Sequence, residues 1–189
     1  MSQTNTDEID RDELISDPEI LVVDDEQEIT NLNRYRIEEL GHTVKTAFGG
    51  KEALEKISTN TDVVLLDRRM PKMHGDAVLE EIHDIGYNCQ VVMVTAVDPS
   101  MEIAEMKFDD YISKPIGRDT IVEVTEEQLN IKQLNVVTNE IISIESKIEV
   151  LEDNHPKTTL EDKEEYQQLR KRLKQYNKKK DTLERKLTG

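Results

Sequence analysis

The sequence predicts an open α/β fold, a parallel five-stranded sheet with helices on both faces, followed by an antiparallel helical hairpin or coiled coil. Three observations carry this. Short apolar runs alternate five times with amphipathic segments between Glu19 and about residue 128, and strict βα alternation implies a parallel sheet. Several runs are apolar at every position, as strands covered on both faces are. From Leu134 the spacing changes to a heptad, broken once at Pro156 and then resumed.

The elements follow in order. Ile20-Leu21-Val22-Val23 is a β-branched run and reads as the first strand. Ile29, Leu32, Ile37 and Leu40 recur at helical spacing, and Gly41 is a natural stop. His42–Ala47 alternates as a second strand. Residues 49–58 carry Ala53, Leu54 and Ile57 on one helical face. Val63-Val64-Leu65-Leu66 is a third buried strand. Asp76–Ile85, with Val78, Leu79 and Ile82, is a helix stopped at Gly86. Val91-Val92-Met93-Val94 is the fourth strand. A short helix is expected after Pro99, with Ile103 and Met106 on one face. Phe108–Ser113 is a weaker fifth strand, and another helix begins near Arg118. Right-handed crossovers leave few topologies, and the flavodoxin-like order 2-1-3-4-5 is the expected one.

Composition bounds the function. Hydrophobic and charged residues each make up 35% of the 189, and the net charge is -16. General affinity for nucleic acid is therefore not expected. The charge is uneven, since residues 160–189 hold 10 Lys/Arg against 6 Asp/Glu. Cys89 is the single cysteine, which excludes an internal disulfide and reads as a small buried residue. No apolar run approaches the ~18 residues of a membrane helix. The acidic N-terminus lacks a signal-peptide pattern, so a cytoplasmic protein without membrane contact is expected. Residues 1–18 read as a disordered acidic leader, 19–128 as the α/β domain and 129–189 as the helical region.

In such sheets function sits at the carboxyl ends of the strands. There the first strand ends in Asp24-Asp25, the third in Asp67, the fourth in Thr95-Ala96, and the fifth runs into Lys114-Pro115. The predicted order gathers three carboxylates, a hydroxyl and an ammonium at one edge. Carboxylates that close repel one another, and a hard divalent cation such as Mg²⁺ relieves this. One carboxylate can then attack phosphorus to form an acyl phosphate. A lysine can neutralise the new group, and the Thr95 hydroxyl and Ala96 N–H can donate to its oxygens.

Four stretches together resemble the receiver domain of two-component response regulators: Val22 to Glu26, Asp67 to Gly75, Val94-Thr95-Ala96, and Asp110 to Pro115. The resemblance covers about residues 19–128. It implies that Asp67 is phosphorylated by a sensor histidine kinase. Asp25 and Asp67 would bind Mg²⁺ directly, Asp24 through water, and the Arg69 backbone carbonyl would complete the protein ligands. Lys114 would pair with the phosphoryl group, while Thr95 and Tyr111 would act as the switch. Arg69 and Val97 are positions that tune acyl-phosphate lifetime. Against the family pattern, the interval from Thr95 to Lys114 is short, so the fourth helix should be short or distorted. Position 116 is Ile where Phe is frequent. Simpler readings stand beside these. Asp24 and Asp25 are also competent helix caps, and Tyr111 also reads as a half-buried strand residue.

In the tail, Leu134, Val137, Ile141, Ile144, Ile148 and Leu151 form one apolar seam. Tyr166, Leu169, Leu173, Tyr176, Lys180, Leu183 and Leu187 form a second. Thr158 to Glu161 reads as a capping box that starts the second helix. The first helix can run unbroken from near Arg118 to about Asp153, roughly 50 Å at ~1.5 Å per residue. Val136 and Ile142 widen the stripe, which predicts further burial in a homodimer. This end resembles the HalX-type output region, in its hairpin shape and in the stretch from His155-Pro156 to Glu165-Tyr166. Arg170, Lys171, Arg172, Lys174, Lys178, Lys179 and Lys180 form a basic output surface. It would touch phosphates or an acidic partner, or else is a solvated face paired with Glu164, Glu165 and Glu184.

The function this implies is a phosphorelay response regulator that switches its helical output in transcription, and no enzyme beyond its own phosphoryl transfer. The alternatives are direct DNA binding through the basic helix, and a scaffold with a silent receiver.

Overall fold

The computed structural model describes residues 17–96 and 104–188. Five strands, β1 (Glu19–Val23), β2 (Thr43–Ala47), β3 (Thr61–Asp67), β4 (Gln90–Thr95) and β5 (Asp110–Ser113), form one sheet. Its order is β2-β1-β3-β4-β5, with every pairing parallel. The expected topology is therefore the observed one. The fifth strand starts two residues later than the sequence suggests.

Alternation along the strands builds two cores. Leu21, Val23, Val64, Leu66, Val91 and Met93 face α2 (Gly50–Lys56) and α3 (Gly75–Ile85). Ile20, Val22, Val63, Leu65, Val92 and Val94 face α1 (Gln27–Glu38) and α4 (Arg118–Asn154). Both faces are covered, which is why the inner strands contain no polar alternation. Cys89 packs against the first of these cores, and burial pushes its thiol up to about 11.

Helix α1 departs from the expected stripe. Leu32 and Leu40 are 49% and 40% exposed, and the helix ends at Glu38. Its inner face is Thr30, Asn33 and Ile37. Thr30 can be buried because its hydroxyl donates to the Asp24 carbonyl at 2.9 Å, so no polar group is stranded. Between β4 and β5, most of the helix expected after Pro99, including Ile103, lies outside the described residues. Among the described ones, Ala104 and Glu105 form a single 3₁₀ turn.

Helix α4 has 37 residues, about 55 Å at ~1.5 Å per residue. It leaves the sheet without a break and becomes one arm of the hairpin. Ile121, Val124 and Leu129 pack on the sheet. Val137, Ile141, Ile144 and Ile148 pack on Leu160 of α5 (Lys157–Glu161) and on Tyr166, Tyr176 and Leu183 of α6 (Glu164–Thr188). Seven of the seam residues found from spacing, Val137, Ile141, Ile144, Ile148, Tyr166, Tyr176 and Leu183, are buried, and Leu134, Leu151, Leu169, Leu173, Lys180 and Leu187 are half-buried beside them. The capping box is not formed. Pro156, at φ -58°, opens a separate five-residue helix with no side-chain cap bond. Thr158 is therefore already inside a turn, and Leu160 is drawn into the core. Among the described residues no helix is long and apolar enough to cross a membrane.

Candidate functional site

Strand register assembles the site. Val23 pairs with Leu66, which sets Asp24 beside Asp67. Thr95 pairs with Ser113, which sets Lys114 beside the end of β4, and the Lys114 N–H donates to the Thr95 carbonyl at 2.7 Å. The Lys114–Pro115 peptide is cis.

The Lys114 ammonium bridges two carboxylates, at 2.6 Å from Asp24 and 3.0 Å from Asp67. Asp24 and Asp67 are buried, and Asp25 is exposed. Asp24, Asp25 and Asp67 each offer an oxygen within 4.8 Å of the others. The second oxygens are held too: the Glu26 N–H donates to Asp24 at 2.9 Å, and the Arg69 N–H donates to Asp67 at 3.0 Å. Burial pushes the Asp67 carboxyl above the usual range. Lys114 opposes that shift and the Asp24 charge reinforces it. For Lys114, burial works against the charge, but the Asp24 and Asp67 carboxylates outweigh it and hold the ammonium above its ordinary value.

Asp24 and Asp25 are not the cap of α1. That position is Glu26, without a side-chain cap bond. Thr95 is fully buried at the end of β4, and Ala96 is exposed beside it. Tyr111 is half-buried, its ring 5.6 Å from that of Phe108. Ile116 is half-buried against the second core. Val97 lies outside the described residues.

Two features of the loop after β3 lie outside the periodic pattern. Arg68 forks onto Asp76 with contacts of 3.0, 3.2 and 3.1 Å. Gly75 packs so tightly that a Cβ there would lie 2.3 Å from the Asp67 carbonyl oxygen. Neither has a periodic signature, because both are made by the fold of the 69–74 loop. Gly75→Ala is expected to cost about 1–3 kcal/mol through overpacking, because the obstacle is backbone. Urea denaturation measures this, and an unchanged midpoint refutes the packing account.

The seven basic output residues all lie on α6, and three of them are paired with carboxylates. Arg170 pairs with Glu152 and lies 5.3 Å from the Tyr166 ring. Arg172 reaches Glu140 at 3.3 Å and Lys180 reaches Glu184 at 3.8 Å. Two of these pairs thus cross the hairpin instead of joining the Glu164 and Glu165 expected from local spacing. Lys171, Lys174 and Lys178 are exposed and Lys179 is half-buried, with Lys171 and Lys179 also engaged by other groups of the protein.

Comparison with known proteins agrees with this geometry. The response regulator receiver domain family matches residues 20–126, and the HalX domain matches residues 137–188. A Haloferax volcanii protein, whose name assigns it to transcriptional regulation, is 41% identical over 154 residues, 82% of this chain and 26% of its own. The alkaline phosphatase synthesis transcriptional regulatory protein PhoP of Bacillus subtilis is 38% identical over 102 residues, 52% of this chain and 42% of its own. The chain thus spans less than half the length of these curated relatives. Among solved structures, the response regulator TrrA of Thermotoga maritima, in complex with Mg²⁺ and beryllofluoride, is 33% identical. That match covers 59% of this chain and 99% of the other, with a TM-score of 0.53. With a match over more than half of its residues, the chain belongs to the response regulator receiver family, and it carries a HalX domain behind the receiver.

Proposed function

We propose that the chain is a phosphorylation-operated switch in which Asp67 takes a phosphoryl group from a sensor histidine kinase. The observation that carries this is the cluster of Asp24, Asp25 and Asp67 around one lysine at the carboxyl edge of the sheet. An Asp67 carboxylate oxygen attacks phosphorus, the P–N bond to the kinase imidazole breaks, and the imidazole leaves with the electron pair. The donor set suits Mg²⁺: hard oxygens only, few of them from the protein, and a phosphate to share. Asp25 and Asp67 would hold it directly, Asp24 through water, and Arg69 by its carbonyl. When bound, Mg²⁺ supplies charge neutralisation for the phosphoryl oxygens. Lys114 pairs with the same group, and the Thr95 hydroxyl and Ala96 N–H donate to it. Thr95 and Tyr111 then move together as the switch.

The output is the hairpin, acting in transcription. Helix α4 links it to the sheet, and the names of the relatives support the process. Ile142 and Val150, each 59% exposed on α4, support a homodimer formed through these helices. A second reading, direct contact with DNA phosphates, rests on the exposed Lys171, Lys174 and Lys178 of α6. It requires binding that weakens steeply with salt.

The test is intact mass and oligomeric state after exposure to acetyl phosphate or beryllofluoride with Mg²⁺. A single phosphoryl adduct that Asp67→Asn abolishes, with a change in assembly, is expected. An adduct that survives Asp67→Asn removes the proposal.

A further inference from the structure

We infer that the Arg68–Asp76 fork is a clip that sets the affinity of the acidic site for Mg²⁺. It does so by closing the base of the loop carrying Arg69. The inference rests on the proposal that Asp24, Asp25 and Asp67 take a divalent cation.

The loop begins at Asp67 and returns to it. The Gly75 N–H donates to the Arg68 carbonyl at 2.9 Å, and Gly75 lies directly against the Asp67 carbonyl. Next to that backbone closure, the Arg68 side chain, only 11% exposed, grips both carboxylate oxygens of Asp76. Asp76 stands in the first turn of α3, where a carboxylate also meets the positive end of the helix dipole. A bidentate guanidinium–carboxylate pair fixes direction as well as distance. Inside the clip, Met70 is buried in the first core, and the Arg69 N–H is tied to Asp67 at 3.0 Å. The peptide groups at Arg69 therefore have little freedom while the clip holds. Groups that orient a ligand without touching the metal typically change affinity by roughly 10- to 100-fold when removed. Arg68 and Asp76 are thus positioning residues.

Charge alone makes a different forecast. Arg68 is a cation beside a cation site, so removing its charge would tighten Mg²⁺ binding, whereas removing the Asp76 charge would weaken it. The clip requires both changes to weaken binding, and it requires the double variant to be no worse than either single one.

Mg²⁺ titration of the full chain, followed by calorimetry or by amide NMR shifts, tests this with Arg68→Met, Asp76→Asn and the double variant. Arg68→Lys keeps the charge but loses the two-pronged grip, so a raised Kd there still separates the clip from charge alone if Arg68→Met does not fold. The expected result is a Kd raised roughly 10-fold or more in all three, without additivity. An unchanged or tighter Kd in Arg68→Met, or an unchanged Kd in Asp76→Asn, overturns the clip while leaving the metal site standing. No Mg²⁺ binding by the unmodified chain, or binding that Asp67→Asn leaves intact, overturns the metal reading and the clip with it.

Discussion

Lys132→Ala is expected to destabilise the receiver by about 3–5 kcal/mol, the range for breaking a buried ion pair from one side. Lys132 sits on α4 at the sheet edge opposite Asp67, 8% exposed. Its ammonium lies 2.7 Å from the Asp62 carboxylate and 3.3 Å from the Thr61 carbonyl. Asp62 is equally buried and also accepts the Glu19 N–H at 2.9 Å. Truncating the lysine leaves that carboxylate with one neutral donor and no counter-charge. Chemical denaturation with an unchanged m-value measures the loss. Adding Asp62→Asn should recover part of it, since the stranded charge is then gone. A Lys132→Ala midpoint equal to that of the unmodified protein means the pair contributes nothing. The consequence for signalling is local. Lys132 lies between the two family matches, in the stretch where α4 passes from sheet to hairpin. Hydrogen exchange of amides 127–136 should rise in the variant while the seam from Val137 to Ile148 stays protected.

Ile144→Ala is expected to cost about 2–5 kcal/mol, the range for a large aliphatic cut to alanine in a packed core. Ile144 is fully buried at the centre of the hairpin seam. The hairpin has a small core, so this loss should release α6, and ellipticity at 222 nm should fall before the receiver unfolds. Ile142→Ala is the internal control. At 59% exposure it should shift stability by no more than about 0.5 kcal/mol in a monomer. A larger, concentration-dependent loss at Ile142 is the outcome expected of a homodimer that covers it. A single transition with an unchanged midpoint in Ile144→Ala would show that the seam is not what holds α6.

The amino-acid order alone carries the sheet, its strand order and the positions of the site residues, because these depend on local signals. Continuous β-branched runs mark strands buried on both faces, and period-two alternation within β1 and β3 divides cleanly between the two cores. Asp24, Asp25, Asp67, Thr95 and Lys114 each end or follow a strand, so parallel topology is enough to bring them to one edge. The hairpin seam was legible for the same reason: a heptad is a periodic signal.

Only the tertiary structure decided what depends on the path between elements. Thr30 displaces Leu32 from the inner face of α1 because a carbonyl at the end of β1 happens to meet its hydroxyl. Pro156 starts a helix of its own because burial of Leu160 rewards that turn, which makes the capping box at Thr158 impossible. Arg170 and Arg172 turn to Glu152 and Glu140 across the hairpin, where antiparallel packing offers partners that local spacing cannot reveal. The Lys132–Asp62 pair joins residues far apart in the chain, and the Arg68–Asp76 fork exists only once the loop after β3 has folded back on itself. Hydrophobic periodicity is a property of a segment and is written within it, whereas a polar pair is a property of two surfaces and exists only once packing has brought them together.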